Sequence, residues 1–392
     1  MTEEVQEADS KQPSSARVKS IDVLKGVAMI GIVIAHIALL QNQGGGGSGG
    51  SDEAYSVFKG LVGIPYSLLC MFFVVSGYFY KPGNGYWHNV RDRVLKLFLF
   101  FVASVVLFTS LMYAVLWAQG YDLSSYSLID VIVEVIIGKG YFVDFDDPSI
   151  GGENILAPFE VTHPLYFLQI IMVGYLIFYA IADYVMESDK RTVITIAVLL
   201  TATALYMEFI HIQLPFSAQL GPLVASYLLM GTMLRRKRFY ENLEFGHTDR
   251  RYWKIFLISL AIAVVLCALF PSDLALIYSK FGDYGGWSVY PFFISMLFSG
   301  IVMSYIISWV VRRCHRLSAL LAEIGVMCLF VHVSHMFIAK AVCSPFVTLD
   351  TEVWIPISLP AGVVVSFVAI AIAMVASELL FGRWSRRARR DD

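Results

Sequence analysis

A chain of 392 residues with 57% hydrophobic and only 15% charged side chains cannot clothe two or three soluble domains, which ordinarily carry about 25% charged residues. A mean hydropathy of +0.67 argues against disorder, and a net charge of -2 from 29 basic and 31 acidic residues argues against a free nucleic-acid binder. The cysteines, Cys70, Cys267, Cys314, Cys328 and Cys343, are odd in number and form no C-x-x-C pair. They read as buried small apolar side chains, not as disulfides or zinc ligands.

A bilayer core of about 30 Å needs about 20 mostly apolar residues per helix. In chain order such stretches fall at 20–40, 57–80, 97–118, 164–183, 192–208, 215–234, 254–270, 290–311, 319–341 and 354–381. The fifth is the shortest. Residues 1–19 form a polar tail, 20–381 one membrane domain and 382–392 a basic tail. No small-residue cleavage site follows the first span, which predicts a permanent helix in place of a removed signal peptide. GGGGSGGS at 44–51 reads as a flexible linker, in a composition that resembles an engineered replacement of a longer loop. The longest connection, 119–162, is acidic, and its apolar stretch SLIDVIVEVIIG (127–138) is too short to span. It is expected to lie on the surface or to re-enter.

An even number of spans puts both termini on one side. Of the 29 basic residues, 24 fall in the tails and connections of that side, so the positive-inside rule makes both termini cytoplasmic. The predicted fold class is therefore an all-α integral-membrane bundle of about ten transmembrane helices.

Ionisable residues inside such spans are costly and mark functional candidates. In the first span, Lys25 and His36 are eleven residues apart. That is three turns, so both share one helix face, about 16 Å apart along the axis. Asp22 precedes Lys25 by three residues and can pair with it. A snorkelling lysine and a histidine bonded to a neighbouring helix would give the same pattern. In the second span, Ser76, Gly77 and Tyr78 suit close helix packing. Beyond it, Arg91, Arg93 and Lys96 mark topology and equally suit a phosphate-bearing ligand arriving from the cytoplasm. In the ninth span, His332 and His335 lie one turn apart, at a depth comparable to His36. No carboxylate or thiolate accompanies them, so no metal is expected.

With these residues placed, the sequence resembles the membrane acyltransferase 3 family of bacterial integral-membrane O-acyltransferases. The family's basic residue, ten residues and histidine correspond to Lys25 and His36. Its Phe-Phe and Ser-Gly-Tyr motif corresponds to Phe72, Phe73, Ser76, Gly77 and Tyr78. Its Arg-x-x-Arg corresponds to Arg93 and Lys96, and its Trp-Phe-Leu to Tyr166, Phe167 and Leu168. The late motif, Ile-Gly to Tyr-x-x-His, appears as IGVMCLFVHVSH, with His335 matching, Cys328 in place of serine and His332 in place of tyrosine. Standalone members, including those similar to fucose 4-O-acetylase, are the nearest in kind.

The resemblance implies transfer of an acyl group, most often acetyl, from acetyl-CoA to a hydroxyl of a surface glycan or related acceptor, in the bacterial plasma membrane. It implies that Lys25, Arg91, Arg93 and Lys96 hold the phosphates of the donor. His36 and His335 would carry the chemistry, either as general base or through an acyl-histidine. Asp22, Ser76, Tyr78, Tyr166 and His332 would support them. The partners expected are acyl-CoA, the acceptor and the lipid bilayer. A transporter or a membrane sensing domain would also bury ionisable residues, but no repeat between the halves and no broken helix pair is evident.

Overall fold

The structure, a computed structural model, describes residues 18–44, 68–118, 120, 132, 135–136, 165–210, 212, 214–245, 250–269, 285–343, 367–368, 370–372 and 374–375, with the backbone alone at 35–44. The tails at 1–17 and 382–392, the linker at 45–51 and most of the acidic 119–162 connection lie outside the described residues. Every regular element among those described is helical. In chain order these are α1 (Lys19–Gly44), α2 (Leu69–Tyr78), α3 (Lys96–Ala118), α4 (Tyr166–Val185), α5 (Asp189–Phe209) and α6 (Gly221–Arg236). There follow α7 (Phe239–Phe245), α8 (Arg250–Leu269), α9 (Val289–Arg313), α10 (His315–Val326) and α11 (Cys328–Cys343). A short helix, Tyr86–Asn89, and a π-helical turn, Val90–Leu95, lead into α3; 3-10 turns, Pro215–Leu220 and Gly286–Ser288, lead into α6 and α9.

Four helical stretches among the described residues are long and apolar enough to cross a membrane: Tyr86–Val115, Tyr166–Val185, Asp189–Phe209 and Gly286–Arg313. The weakest span expected from sequence, 192–208, is thus a full helix. Trp287, in the turn just before α9, and Trp309, near its end, are each about half exposed and are separated by about 33 Å at a rise of ~1.5 Å per residue. That distance matches a hydrocarbon core of about 30 Å bounded by aromatic belts. The protein is a membrane protein.

The fifth candidate corrects the sequence reading. The stretch 319–341 is not one straight helix: α10 and α11 are bent by 67° across Met327. The bend keeps its backbone bonds, with Met327 N–H donating to Glu323 (3.2 Å) and Val331 N–H to Met327 (3.1 Å). Its cause is packing on α1. A Cβ on Gly325 would lie 1.8 Å from the Asp22 carbonyl oxygen, and one on Gly26 would lie 2.0 Å from that of Leu321. Each glycine thus meets the residue four before the other, so α10 is clamped against α1, while α11 turns away towards α4.

A second glycine pair joins α2 to α6. A Cβ on Gly77 would come within 2.0 Å of the Leu228 oxygen, and one on Gly231 within 1.9 Å of the Val74 oxygen. Arg235 near the end of α6 donates to the Tyr78 and Tyr80 carbonyls at the end of α2, so these two helices run parallel. Arg236 at the end of α6 donates to the Met186 carbonyl at the end of α4, so α2, α4 and α6 all finish at the same end. Close backbone approach of this kind is the usual packing device where lipid removes the hydrophobic drive.

Of the cysteines, Cys70 meets the expectation of burial and Cys314 departs from it. Cys70 is buried, Cys328 is half-buried, and Cys314 is exposed in the one-residue gap between α9 and α10. The side chains of Cys267 and Cys343 lie outside the described residues.

Candidate functional site

The end of the bundle that gathers the basic residues is built from helix termini, whose unpaired backbone groups need partners. At the start of α1, the N–H groups of Lys19 and Ser20 donate to the Glu244 carboxylate at 3.2 and 2.8 Å. This cap is borrowed from α7, and its negative charge suits a helix N-terminus. Glu241 of the same helix accepts from the Tyr78 hydroxyl, so Tyr78 is a structural tie. Arg235 donates to the carbonyls of Tyr78 and Tyr80 at 3.2 and 2.6 Å. Arg236 donates to Thr192 at 2.9 Å and pairs with Asp189 at 2.9 Å, and Lys237 reaches Asp189 at 2.7 Å. The basic run RRKR at 235–238 therefore does more than report sidedness. Its arginines cap the C-termini of α2 and α4.

Four cations were expected to receive an anion, and they are not equivalent. Lys25 pairs with Asp22 at 3.5 Å, as the spacing predicts. Its ammonium also lies 5.5 Å over the Phe79 ring, a cation–π contact. Asp22 and Lys25 both act electrostatically on the Cys328 thiol, so the start of α11 abuts this pair. Arg91 and Lys96 share Asp92 at 3.7 and 3.9 Å, and His88 reaches it at 3.1 Å. Arg93 alone has no carboxylate partner among the described residues. Its charge instead bears on Tyr175 and Tyr179, whose rings stack at 5.2 Å and 8°. Ser76 lies beside Tyr175, so the serine of the second motif, this tyrosine and the arginine of the third are neighbours.

Farther along the bundle the remaining motifs converge. Phe167 of α4 stacks on Phe73 (5.0 Å, 18°), meets Phe72 edge-on (5.9 Å) and lies against His332 (5.0 Å). His332 in turn lies 5.7 Å from His335. Tyr166, half-buried, opens α4 directly before Phe167. His332 and His335 are both buried, His335 completely. The Nδ1 of His335 lies 2.6 Å from the His332 carbonyl and 3.2 Å from that of Val331. Carbonyl oxygens only accept, so Nδ1 carries the proton. In the neutral ring, Nε2 is then the nitrogen with the lone pair, which is the form a general base requires. His36 lies on α1, three turns beyond Lys25, and its side chain lies outside the described residues.

Sequence reasoning missed Tyr175, Tyr179, Arg235, Glu241 and Glu244. The tyrosines lie one turn apart in an apolar span and carry no charge to mark them. Glu241 and Glu244 sit three apart on a helix that no hydropathy pattern announces.

A family model described as "Acyltransferase domain" matches residues 18–377. No curated protein and no solved structure gives a match. The matched range takes in every motif above, from Lys25 to His335, and most of the chain. This chain belongs to the membrane acyltransferase 3 family.

Proposed function

We propose that the protein transfers an acyl group, acetyl in the first instance, from cytoplasmic acyl-CoA to a hydroxyl of a cell-surface glycan or related acceptor, across a bundle of about ten spans in the bacterial plasma membrane with both termini cytoplasmic. Acyltransferase chemistry follows from the family; the observation that supports this donor is Arg93, a cation without a carboxylate partner among the described residues and close to Tyr175 and Tyr179. Lys25, Arg91 and Lys96 lie at the same end, but Asp22 and Asp92 offset their charge, so Arg93 takes the leading share of a phosphate and the other three a lesser one.

In the reaction, the acceptor O–H gives its proton to the imidazole of His335 or of His36. The oxygen bonds to the thioester carbonyl carbon, and the C–S bond breaks. The departing thiolate of coenzyme A recovers the proton from the imidazolium. Aromatic walls from Phe72, Phe73 and Phe167 keep water from competing as the acceptor.

An arginine–phosphate hydrogen bond is worth about 1.5–3 kcal/mol. Arg93→Ala is therefore expected to raise the KM for acetyl-CoA by about 10–100-fold with a smaller change in saturated turnover. Lys96→Ala, already paired with Asp92, should raise it by much less. Donor titrations of both purified variants check this, and equal effects of the two would contradict the assignment.

A further inference from the structure

At the end of the bundle opposite the basic cluster, the amide of Gln169 leaves a buried polar atom without a partner among the described residues. Gln169 of α4 is 1% exposed, and its Nε2 donates to the Val135 carbonyl of the acidic connection. That bond fixes which end of the amide is which, because a carbonyl cannot donate. The Oε1 of Gln169 is buried and unpartnered among the described residues. Leaving an acceptor in this state costs about 1–3 kcal/mol, and the cost is a reason to look for a ligand that fills it.

Its surroundings support a site. Gly221 of α6 packs on Val173 and Ile177, and Gly174 packs on Val224 and Ala225. In this parallel register, the turn before Val173 on α4 lies level with the 3-10 turn Pro215–Leu220 before α6. Gln169 thus lies alongside Ser217 and Gln219, which are also buried. The turn itself is strained. Phe216 (φ 57°) and Ser217 (φ 49°) are consecutive non-glycine residues in the left-handed region, a conformation costing about 1–3 kcal/mol each and concentrated at functional sites. Gln219 Oε1 accepts from Leu214 N–H at 3.1 Å and closes this turn. Phe167, whose ring touches His332, lies two positions before Gln169 on the same helix.

We propose that Gln169 is an acceptor-binding residue whose Oε1 receives a hydrogen bond from a hydroxyl of the acceptor as it approaches the His332–His335 pair from the end opposite the donor. The inference rests on the transferase reading and adds the residue that reads the acceptor. A hydroxyl can donate to Oε1, whereas an ether or ester analogue cannot. The acidic connection contributes the Val135 carbonyl that aims the amide, so donor and acceptor enter from opposite ends.

The test uses the full-length protein with labelled acetyl-CoA and membranes of the producing cells as acceptor, titrated by amount. Gln169→Met keeps side-chain length without polarity. It should raise the apparent KM for membrane acceptor by ~5–10-fold, the worth of one neutral hydrogen bond. The KM for acetyl-CoA and the slow acceptor-independent release of coenzyme A should stay unchanged. A variant with wild-type acceptor KM would overturn the role of Gln169 and leave the transferase reading intact. A variant that loses donor affinity equally would show Gln169 to be structural and overturn it too. Wild-type protein that transfers no label would instead overturn the transferase reading, and with it the basis for this inference.

Discussion

His335→Asn should lower turnover by ~10²–10⁴-fold, the range of a lost general acid–base group, with little loss of thermal stability. The choice of asparagine follows from the hydrogen bonds. Its side-chain N–H sits where Nδ1 does, and can still donate to the carbonyls of His332 and Val331, which lie 2.6 and 3.2 Å from Nδ1 in the native protein. Only the function of Nε2 is removed. His335→Gln makes the opposite exchange, placing a polar group near the Nε2 position while abandoning the backbone carbonyls. Gln should therefore cost stability as well as activity. The measurement is turnover at saturating acetyl-CoA together with the unfolding temperature in detergent. Wild-type turnover in His335→Asn would reduce this histidine to a packing role.

The second large effect is structural. Gly325→Val should prevent normal folding or lower the unfolding temperature by several degrees. A Cβ there would fall 1.8 Å from the Asp22 carbonyl oxygen and 3.0 Å from the Gly26 nitrogen. Backbone cannot move aside as a flexible side chain can, so α10 would have to leave α1. Overpacking a filled core costs about 1–3 kcal/mol, and a backbone clash lies at or beyond the top of that range. The consequence reaches the site, because the Gly26–Gly325 contact sets the bend at Met327 and so aims α11 at Phe167. Gly83→Ala is the control. It sits at φ 90° on an exposed turn with nothing within 4 Å of the added Cβ, so its cost is local strain alone and activity should survive. Thermal unfolding and monodispersity in detergent distinguish the two. Equal tolerance of both substitutions would contradict the packing described.

Hydropathy made the apolar helices readable because the bilayer imposes length and polarity directly on sequence. The Asp22–Lys25 pair was readable for a similar reason, since i,i+3 spacing on a helix needs no tertiary information. The break at Met327 was not readable. No proline marks it, and its cause lies some 300 residues away in sequence at Gly26. The arginines of RRKR were legible only as charge, since capping partners such as the Tyr78 and Tyr80 carbonyls are contributed by another helix. The ranking of Arg93 above Lys96 also needed structure. Both stand in the same motif, but only one has Asp92 within reach. The tautomer of His335 depends on carbonyls in its own helix turn, and the side-chain geometry that decides it is absent from any spacing rule. Nothing in the sequence marks Gln169, because the bond to Val135 that orients its amide is tertiary.

One measurement tests the transferase reading most directly. Purified protein is given labelled acetyl-CoA and membranes of the producing cells, and label is followed into the glycan fraction alongside His36→Ala and His335→Asn. Transfer by the native protein, with both variants reduced by ~10²-fold or more while still stabilised by acetyl-CoA, is the expected result. Undiminished transfer by both histidine variants, or no transfer by the native protein, would contradict it.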